Sequence, residues 1–357
     1  MIFVELTPQD FTKFATKSPY KSFTQTTEIA SLREKAGWTV YYLGVKDGDE
    51  IKAASMLVAK PTFLGKSTYL APGGPLLDFE NAELTNFFFK NLRNYIKAHN
   101  GYSLQISPNY ELIERDRDGN PIPNGFNRTK AEHNLRALGL IEISHASQPK
   151  YHFAMDIAGR TPDEIFADMK RNTRNHIRKA EKSGVKIREL NRDELHLFKQ
   201  ITESTSVRRH FVDRPLSYYE QMYDLFHDKG EVKFLVAEIP NKNEAPLVLS
   251  AAMFMLYGDE IIYLFSGSDE KYMKEYNAQY LIQWHMIKYA AEHGFKRYNF
   301  YGISGLPKDG NLDGIYDFKK GFDTKYGKVI ELIGTYELAI NSPFYYLRKI
   351  LSRVKHG

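Results

Sequence analysis

Cysteine is absent from this chain of 357 residues. Its absence excludes disulfides, thiolate zinc sites, iron–sulfur clusters and a cysteine nucleophile. It also removes any argument for secretion. Long apolar runs are missing too. The longest, Leu247–Tyr257, falls well short of the ~20 residues that span a bilayer. Residues 1–6 lack a basic segment followed by an apolar core, so no signal peptide is expected. The chain is expected in the cytoplasm, with at most a peripheral membrane contact.

The chemical motifs are equally sparse. There is no phosphate loop of the Gly-x-x-x-x-Gly-Lys-Ser/Thr type and no Gly-x-Gly-x-x-Gly. Coenzyme-A acetyltransferases hold pyrophosphate with Arg/Gln-x-x-Gly-x-Gly/Ala; here Arg136-Ala137-Leu138-Gly139-Leu140-Ile141 comes nearest and fails at its last position. Gly302-Ile303-Ser304-Gly305 is not a nucleophile elbow. The eleven histidines are scattered without metal-ligand spacing, so no metal and no cofactor are expected.

What is present has the size of about two domains, at ~150 residues each. The order of elements occurs twice. Trp38–Lys60 reads as a hairpin around Lys46-Asp47-Gly48-Asp49, with a third strand near Ser67–Ala71. Asn81–His99 then carries Leu84, Phe88, Leu92 and Ile96 at helical spacing, and Tyr102–Ser107 alternates as a strand. The second half repeats this with strands at Val232–Ile239, Pro246–Tyr257 and Ile261–Ser266, a helix at Asn277–His293 and a strand at Lys296–Tyr301.

Helices precede each set, at Pro8–Thr16 and Thr26–Lys35 in the first half. In the second half they are Pro162–Ser183, Arg192–Thr205 and Ser217–His227. This is the order of an acyltransferase-type α/β fold, duplicated; two unrelated α+β domains are the alternative. The join falls near Lys150–Arg160, where Thr161, Pro162 and Glu164 form a helix start with a capping box. Asn109–Arg128 is polar and rich in turn formers, and is expected to be a mobile loop.

Net charge is only +5, but it is unevenly placed. Between Lys170 and Arg188, eight basic residues stand against the single Glu181, a net of seven. Arg171, Arg174, Arg178 and Lys182 recur at spacings of three and four, which aligns them on one helix face. Such a stripe is either a solvated face or a contact for a polyanion such as RNA. At the C-terminus, residues 342–357 mix Phe344, Tyr345, Leu347 and Ile350 with basic residues. They read either as a short interfacial helix or as a helix docked on the body.

Several runs resemble the Fem family, the aminoacyl-tRNA-dependent transferases that build peptidoglycan cross-bridges. They are Pro19-Tyr20 with Phe23-Thr24-Gln25-Thr26, Gly74-Pro75, Arg297 to Gly305, and Phe318-Lys319-Lys320-Gly321. The resemblance spans Phe3 to about Tyr346. It implies two tandem acetyltransferase-like domains. The first comprises residues 1–150 plus 331–357 and binds the acceptor. The second comprises residues 151–330 and takes the tRNA-borne donor. It also implies transfer of Ala, Gly or Ser from aminoacyl-tRNA to the side-chain amine of the stem-peptide lysine. The acceptor would be UDP-MurNAc-pentapeptide or lipid II.

One departure leaves the acceptor open. The motifs are closest to the FemA type, which acts on lipid II species and carries a long helical arm. Only about twenty residues, 228–247, fill that place here. The shorter FemX type, which acts on the soluble precursor, also lacks the arm.

By the same resemblance, Phe318 and Lys319 match a Phe-Lys pair at the reaction centre, expected at a strand end with Lys320 pointing the other way. Lys319 would stabilise developing negative charge or position the ester. Arg214 matches an arginine that holds acceptor phosphate, and Arg33 stands where the family has a phosphate-binding lysine, five residues before an aromatic, here Trp38. The two are expected to converge on a diphosphate. Tyr218 matches an acceptor-site tyrosine, and Phe265 replaces a tyrosine there. The stripe Arg171, Arg174, Arg178 and Lys182 is expected to contact tRNA, and residues 342–357 the inner membrane face. The same duplicated fold could instead use another acyl donor, or serve as a non-catalytic RNA- or membrane-binding homologue.

Overall fold

In the computed structural model, residues 1–144, 148–209, 211–241, 244–306, 314–347 and 350 are described, Phe63 by its backbone alone. The chain begins β1 (Ile2–Glu5), α1 (Pro8–Ala15), α2 (Thr27–Lys35), β2 (Thr39–Asp47), β3 (Glu50–Pro61) and β4 (Ser67–Gly73). It continues α3 (Ala82–Ala98), β5 (Gly101–Pro108), β6 (Glu111–Glu114), α4 (Thr129–Ala137) and β7 (Ile141–Glu142). Then come β8 (Tyr151–Asp156), α5 (Pro162–Asp168), α6 (Arg171–Lys182), β9 (Lys186–Glu189), α7 (Leu195–Arg209), α8 (Leu216–Phe226) and β10 (Val232–Ile239). The rest are β11 (Leu247–Tyr257), β12 (Glu260–Ser268), α9 (Glu270–Tyr276), α10 (Ala278–Glu292), β13 (Arg297–Ile303), α11 (Gly314–Lys320), β14 (Gly327–Leu332) and β15 (Tyr336–Ala339).

These elements form two compact units. One comprises Met1–Glu114, Pro121–Lys150 and Glu331–Gly357; the other comprises Arg115–Asn120 and Tyr151–Ile330. The first is built on a sheet in the order β1-β2-β3-β4-β5-β15-β7. The hairpin β2–β3 and the pair β3–β4 are antiparallel, and β4–β5 is parallel after the crossover through α3. Phe88, Phe89, Leu92 and Ile96 of α3 are fully or nearly fully buried in this core with Leu57, Tyr69 and Leu104. Each such side chain contributes about 1.5–3 kcal/mol. The strand β1 was not apparent in the sequence. It is only four residues long and is defined by pairing with β2.

The second unit repeats the topology. Its sheet contains the order β14-β8-β13-β12-β11-β10-β9. Again two antiparallel pairs, β10–β11 and β11–β12, are followed by a helix, α10, and a parallel pair, β12–β13. The two copies differ in one respect. In the first unit β4 and β5 stay paired over seven positions, with one register shift between Ser67 and Thr68. In the second, β12 and β13 pair only from Glu260–Ile262 to Arg297–Asn299 and then part. A bulge between Asn299 and Gly302 sets Tyr301 at φ +63°, a conformation costly for a bulky residue.

Two expectations are corrected here. The single helix expected over Pro162–Ser183 is two. Thr161 caps α5 with its capping box, but Met169 turns extended (ψ 151°) and Lys170 donates its N–H to the Gly321 carbonyl at 2.9 Å. The segment 109–128 is not a loose loop. Asp116 accepts from the N–H groups of Asp118 and Asn120, and Arg115 donates to the Gly119 carbonyl. The polar residues that suggest mobility in the sequence satisfy one another. Over 228–247, the described residues form a short 3₁₀ turn, β10 and the start of β11.

Candidate active site

Phe318 and Lys319 lie on α11, a helix and not the strand end expected from sequence. On a helix neighbouring side chains diverge by about 100°, so strand alternation does not apply. Phe318 packs its ring 4.9 Å from Tyr280 and 5.3 Å from Phe322. Lys319 is 5% exposed. Its ammonium donates to the carbonyl oxygens of Tyr301, at 3.3 Å, and Gly302. An ammonium this buried requires such partners. Lys320 is buried as well and donates to Asp118.

The parting of β12 and β13 opens a cavity of about 510 Å³. Tyr263, Ser266 and Gly267 of β12 line it from one strand, and Phe300, Tyr301 and Gly302 from the other. Phe318 and Lys319 complete the wall, with Tyr280 from α10. Among the described residues the lining holds three cations, Arg208, Arg209 and Lys319, and no carboxylate. Its hydroxyls are linked: Gln279 donates to the Tyr263 hydroxyl at 2.7 Å, and Ser250 and Ser268 share a hydrogen bond at 2.5 Å. Burial, with Tyr218 as a second and smaller influence, pushes the Tyr301 hydroxyl up to about 12, so it stays protonated at neutral pH. The cavity is thus an anion-favouring, aromatic-walled space with a fixed ammonium at its edge.

The basic stripe reaches the same place. Helix α6 starts where α11 ends: besides the Lys170–Gly321 bond, Gly321 lies so close to Thr173 that a Cβ there would sit 2.4 Å from the Thr173 hydroxyl. His176 of α6 lies 4.6 Å from the Tyr280 ring, which touches Phe318. The four stripe residues are not equivalent. Arg174 donates to the Ala167 carbonyl at 2.8 Å and to the Met169 carbonyl at 2.5 Å, capping the end of α5. Arg178 stacks over Phe166 at 5.2 Å. Arg171 and Lys182 are exposed. Like charges at this spacing repel one another, and these intramolecular roles relieve that in part.

Arg214, Tyr218 and Phe265 are brought together. The guanidinium of Arg214 lies 5.4 Å from the Tyr218 ring, and Tyr218 lies 6.2 Å from Phe265. Asp213 fixes this segment. It accepts from Tyr219, Thr202 and Lys199 at 2.6–2.9 Å and from the Arg214 N–H at 2.8 Å. Burial opposes its charge, but these hydrogen bonds outweigh it and hold its carboxyl below the usual range. Arg33 belongs to the first unit, at the end of α2. It lies 5.0 Å from the Trp38 ring, which Lys60 also approaches at 5.3 Å.

At the C-terminus, Phe344 packs 5.0 Å from Tyr102 and the Tyr345 hydroxyl donates to Glu337 at 2.6 Å. Tyr346, Leu347 and Ile350 are exposed. Residues 348–349 and 351–357, on which the interfacial reading depends, lie outside the described residues. Among the described residues no helix is long and apolar enough to cross a membrane, and no group of three or more His, Asp or Glu side chains is placed to hold a metal ion.

Sequence reasoning did not find the cavity, Arg208, Arg209 or the carbonyl pair that receives Lys319. The Arg297–Gly305 run was noted only as a motif. Its role as a cradle depends on the local bulge, which has no sequence signal beyond Gly302.

A duplicated hairpin–strand–helix–strand unit, with parallel strands that part in the second copy, is the arrangement of a GNAT-type fold. A tandem GNAT protein from the clavulanic acid biosynthesis pathway superposes with a TM-score of 0.56 at 12% identity, over 95% of this chain and 98% of that one. The crystal structure of FemX superposes with a TM-score of 0.81 at 21% identity, over 97% and 99%. The FemAB family profile matches residues 6–245 and 237–353, so the chain belongs to the FemAB family. The two matches meet in the β10–β11 hairpin. Aminoacyltransferase FemA of Staphylococcus aureus is 28% identical over 422 aligned residues, 99% of each chain. That of Staphylococcus epidermidis is 27% identical over 421 residues, covering 99% of this chain and 100% of its own. The chain is an enzyme of this aminoacyltransferase class, with a mixed α/β fold of two GNAT-type units.

Proposed function

We propose that the protein transfers alanine, glycine or serine from aminoacyl-tRNA to the side-chain amine of the stem-peptide lysine of a peptidoglycan precursor, building the cross-bridge in the cytoplasm. The acceptor is UDP-MurNAc-pentapeptide or its lipid-linked form, lipid II. The observation that carries this reading is the junction at α11. Among the described residues, the buried Lys319 lines an aromatic-walled cavity that holds no carboxylate, and the basic helix α6 starts where α11 ends.

The chemistry needs little more. The ester on tRNA is already activated. A lysine amine, with a pKa of ~10.4 in water, must lose a proton before it attacks. Attack on the ester carbonyl forms the C–N bond and places a negative charge on the carbonyl oxygen. Lys319 faces that charge. Collapse breaks the ester C–O bond, and the proton that the nitrogen sheds as the amide forms passes to the departing oxygen, which leaves as the hydroxyl of the terminal ribose of tRNA. Holding amine and ester together is worth ~7–11 kcal/mol. No protein nucleophile takes part.

The remaining assignments follow the same reading. Phe318, with Tyr280, offers a stacking surface for the donor end. Arg171 and Lys182, with Arg174 and Arg178 beside them, meet the tRNA backbone. Arg214 holds acceptor phosphate, with Tyr218 and Phe265 beside it, and Arg33 with Lys60 gives the first unit its own anion-favouring surface. The test is incubation with labelled Ala-, Gly- or Ser-tRNA and either acceptor, with acetyl-CoA in parallel. Labelled precursor from the tRNA arm supports the reading. Acylation from the CoA arm alone makes the protein a different N-acyltransferase.

A further inference from the structure

Helix α11 has only seven residues, Gly314–Lys320. A helix this short does not hold itself, since isolated helices below ~12–15 residues are marginal in water. Its position is therefore set by what grips it. Residues Arg115–Asn120 do so. They belong to the second unit although the chain on both sides of them belongs to the first.

The grip is specific. The Tyr316 hydroxyl donates to the Arg117 carbonyl. The Arg117 guanidinium donates to the Lys320 carbonyl at 3.0 Å, at the last residue of the helix, and to the Thr324 carbonyl at 3.4 Å. Lys320 returns its ammonium to Asp118. The turn itself is stiffened by Asp116, which accepts from the backbone of Asp118 at 2.8 Å and Asn120 at 2.9 Å, and whose carbonyl receives Val329 N–H at 3.1 Å. Tyr316, Lys320 and Thr324 bracket Phe318 and Lys319 on both sides along the chain.

We infer that Arg117 and Asp118 are positioning residues for Lys319, and that residues 115–120 act as a clamp that aligns the reactive helix. The inference rests on the role proposed for Lys319. Its consequence is kinetic. A shift of about 1 Å at a reacting centre can cost about 100-fold in rate, while a substrate bound elsewhere is hardly affected. Charge-assisted hydrogen bonds to backbone carbonyls, as from Arg117, are the strong kind. Arg117 is therefore expected to act on kcat and not on either KM.

The test uses the full-length enzyme, with the variants Arg117→Gln, Arg117→Lys, Asp118→Asn, Tyr316→Phe, Lys319→Met and the double variant Arg117→Gln/Lys319→Met. Expected are a loss of about 10- to 100-fold in kcat for Arg117→Gln, a partial recovery in Arg117→Lys, and both KM values within about threefold of the parent. Tyr316→Phe removes one hydroxyl and keeps the ring, so it reports on the clamp even where Arg117→Gln unfolds. The double variant should be no slower than Lys319→Met alone, because the clamp works through that ammonium. If Arg117→Gln and Tyr316→Phe fold and turn over like the parent while Lys319→Met is slow, the clamp is refuted and the role of Lys319 stands. Multiplicative losses in the double variant refute the clamp as well. If Lys319→Met is itself unimpaired, the role of Lys319 falls and the clamp falls with it.

Discussion

Replacing Lys319 by methionine keeps most of the side chain's length and its apolar body and removes one charge. Lys319 is 5% exposed, so little water screens its charge. A unit charge about 4 Å from a forming oxyanion is worth about 4 kcal/mol at an effective dielectric of about 20. Loss of a single oxyanion donor typically costs about 2.7–4 kcal/mol, or about 100- to 1000-fold in kcat. The same change strips a donor from the carbonyls of Tyr301 and Gly302. That destabilises the fold by about 1–3 kcal/mol.

The two effects separate by measurement. The first acts on the rate of folded enzyme; the second acts on Tm. We predict at least about 100-fold loss of kcat at saturating aminoacyl-tRNA and acceptor, well below the variant's Tm. Directly measured affinity for deacylated tRNA should stay within a few-fold. Lys320 cannot serve as the control, because it is buried and bound to Asp118. Lys296, 69% exposed and paired with Asp259 at 3.2 Å, can, since exposed pairs contribute about 0–1 kcal/mol. A Lys319→Met enzyme with kcat near that of Lys296→Met would falsify the assignment. So would a loss explained entirely by weaker binding.

Four further outcomes follow from the same geometry. Arg171→Gln with Lys182→Gln should lower the log–log salt slope of tRNA binding by about 1.4, at ~0.7 per single-strand contact, without loss of Tm; an unchanged slope makes the stripe a solvated face. Arg174→Gln should instead lower Tm, because it uncaps α5. Arg214→Ala should raise the acceptor KM by the equivalent of about 1.5–3 kcal/mol, with the tRNA KM unmoved; an unmoved acceptor KM removes Arg214 from the site. Asp213 has its carboxyl held below the usual range, so its contribution is complete above the unfolded value of ~3.9 and is lost as pH falls through the folded value. The stability difference between the wild type and Asp213→Asn should therefore be flat from about pH 5 to 8 and shrink below about pH 4. A difference that grows on acidification contradicts this.

Much of the scaffold was legible in the sequence because its signals are local. Alternation marked the hairpins, helical spacing marked α3 and α10, and Thr161, Pro162 and Glu164 marked the start of α5. The stripe on α6 was legible as charge, but the diversion of Arg174 to the α5 carbonyls was not, because it depends on the break at Met169. The Phe318-Lys319 pair was legible only as a family run. Its helical setting was hidden, since Gly314–Lys320 is too short to show a period. The cavity was illegible for a different reason. It arises where β12 and β13 part after three paired positions, whereas β4 and β5 stay together over seven. That difference between two similar repeats lies in a bulge and one positive φ. The grip of Arg117 on α11 joins residues about 200 apart in sequence, which no local pattern reveals.

The central claim concerns which bond is made. Enzyme, labelled aminoacyl-tRNA and UDP-MurNAc-pentapeptide are mixed, and the product is fragmented by mass spectrometry alongside a parallel reaction with the acceptor's lysine side chain acetylated. The same pair is run with lipid II. Predicted is one added amino acid on the lysine side-chain nitrogen, one deacylated tRNA per amide, and no product from the acetylated acceptor. Addition at another amine, equal reaction of the acetylated acceptor, or no transfer to either precursor would contradict it.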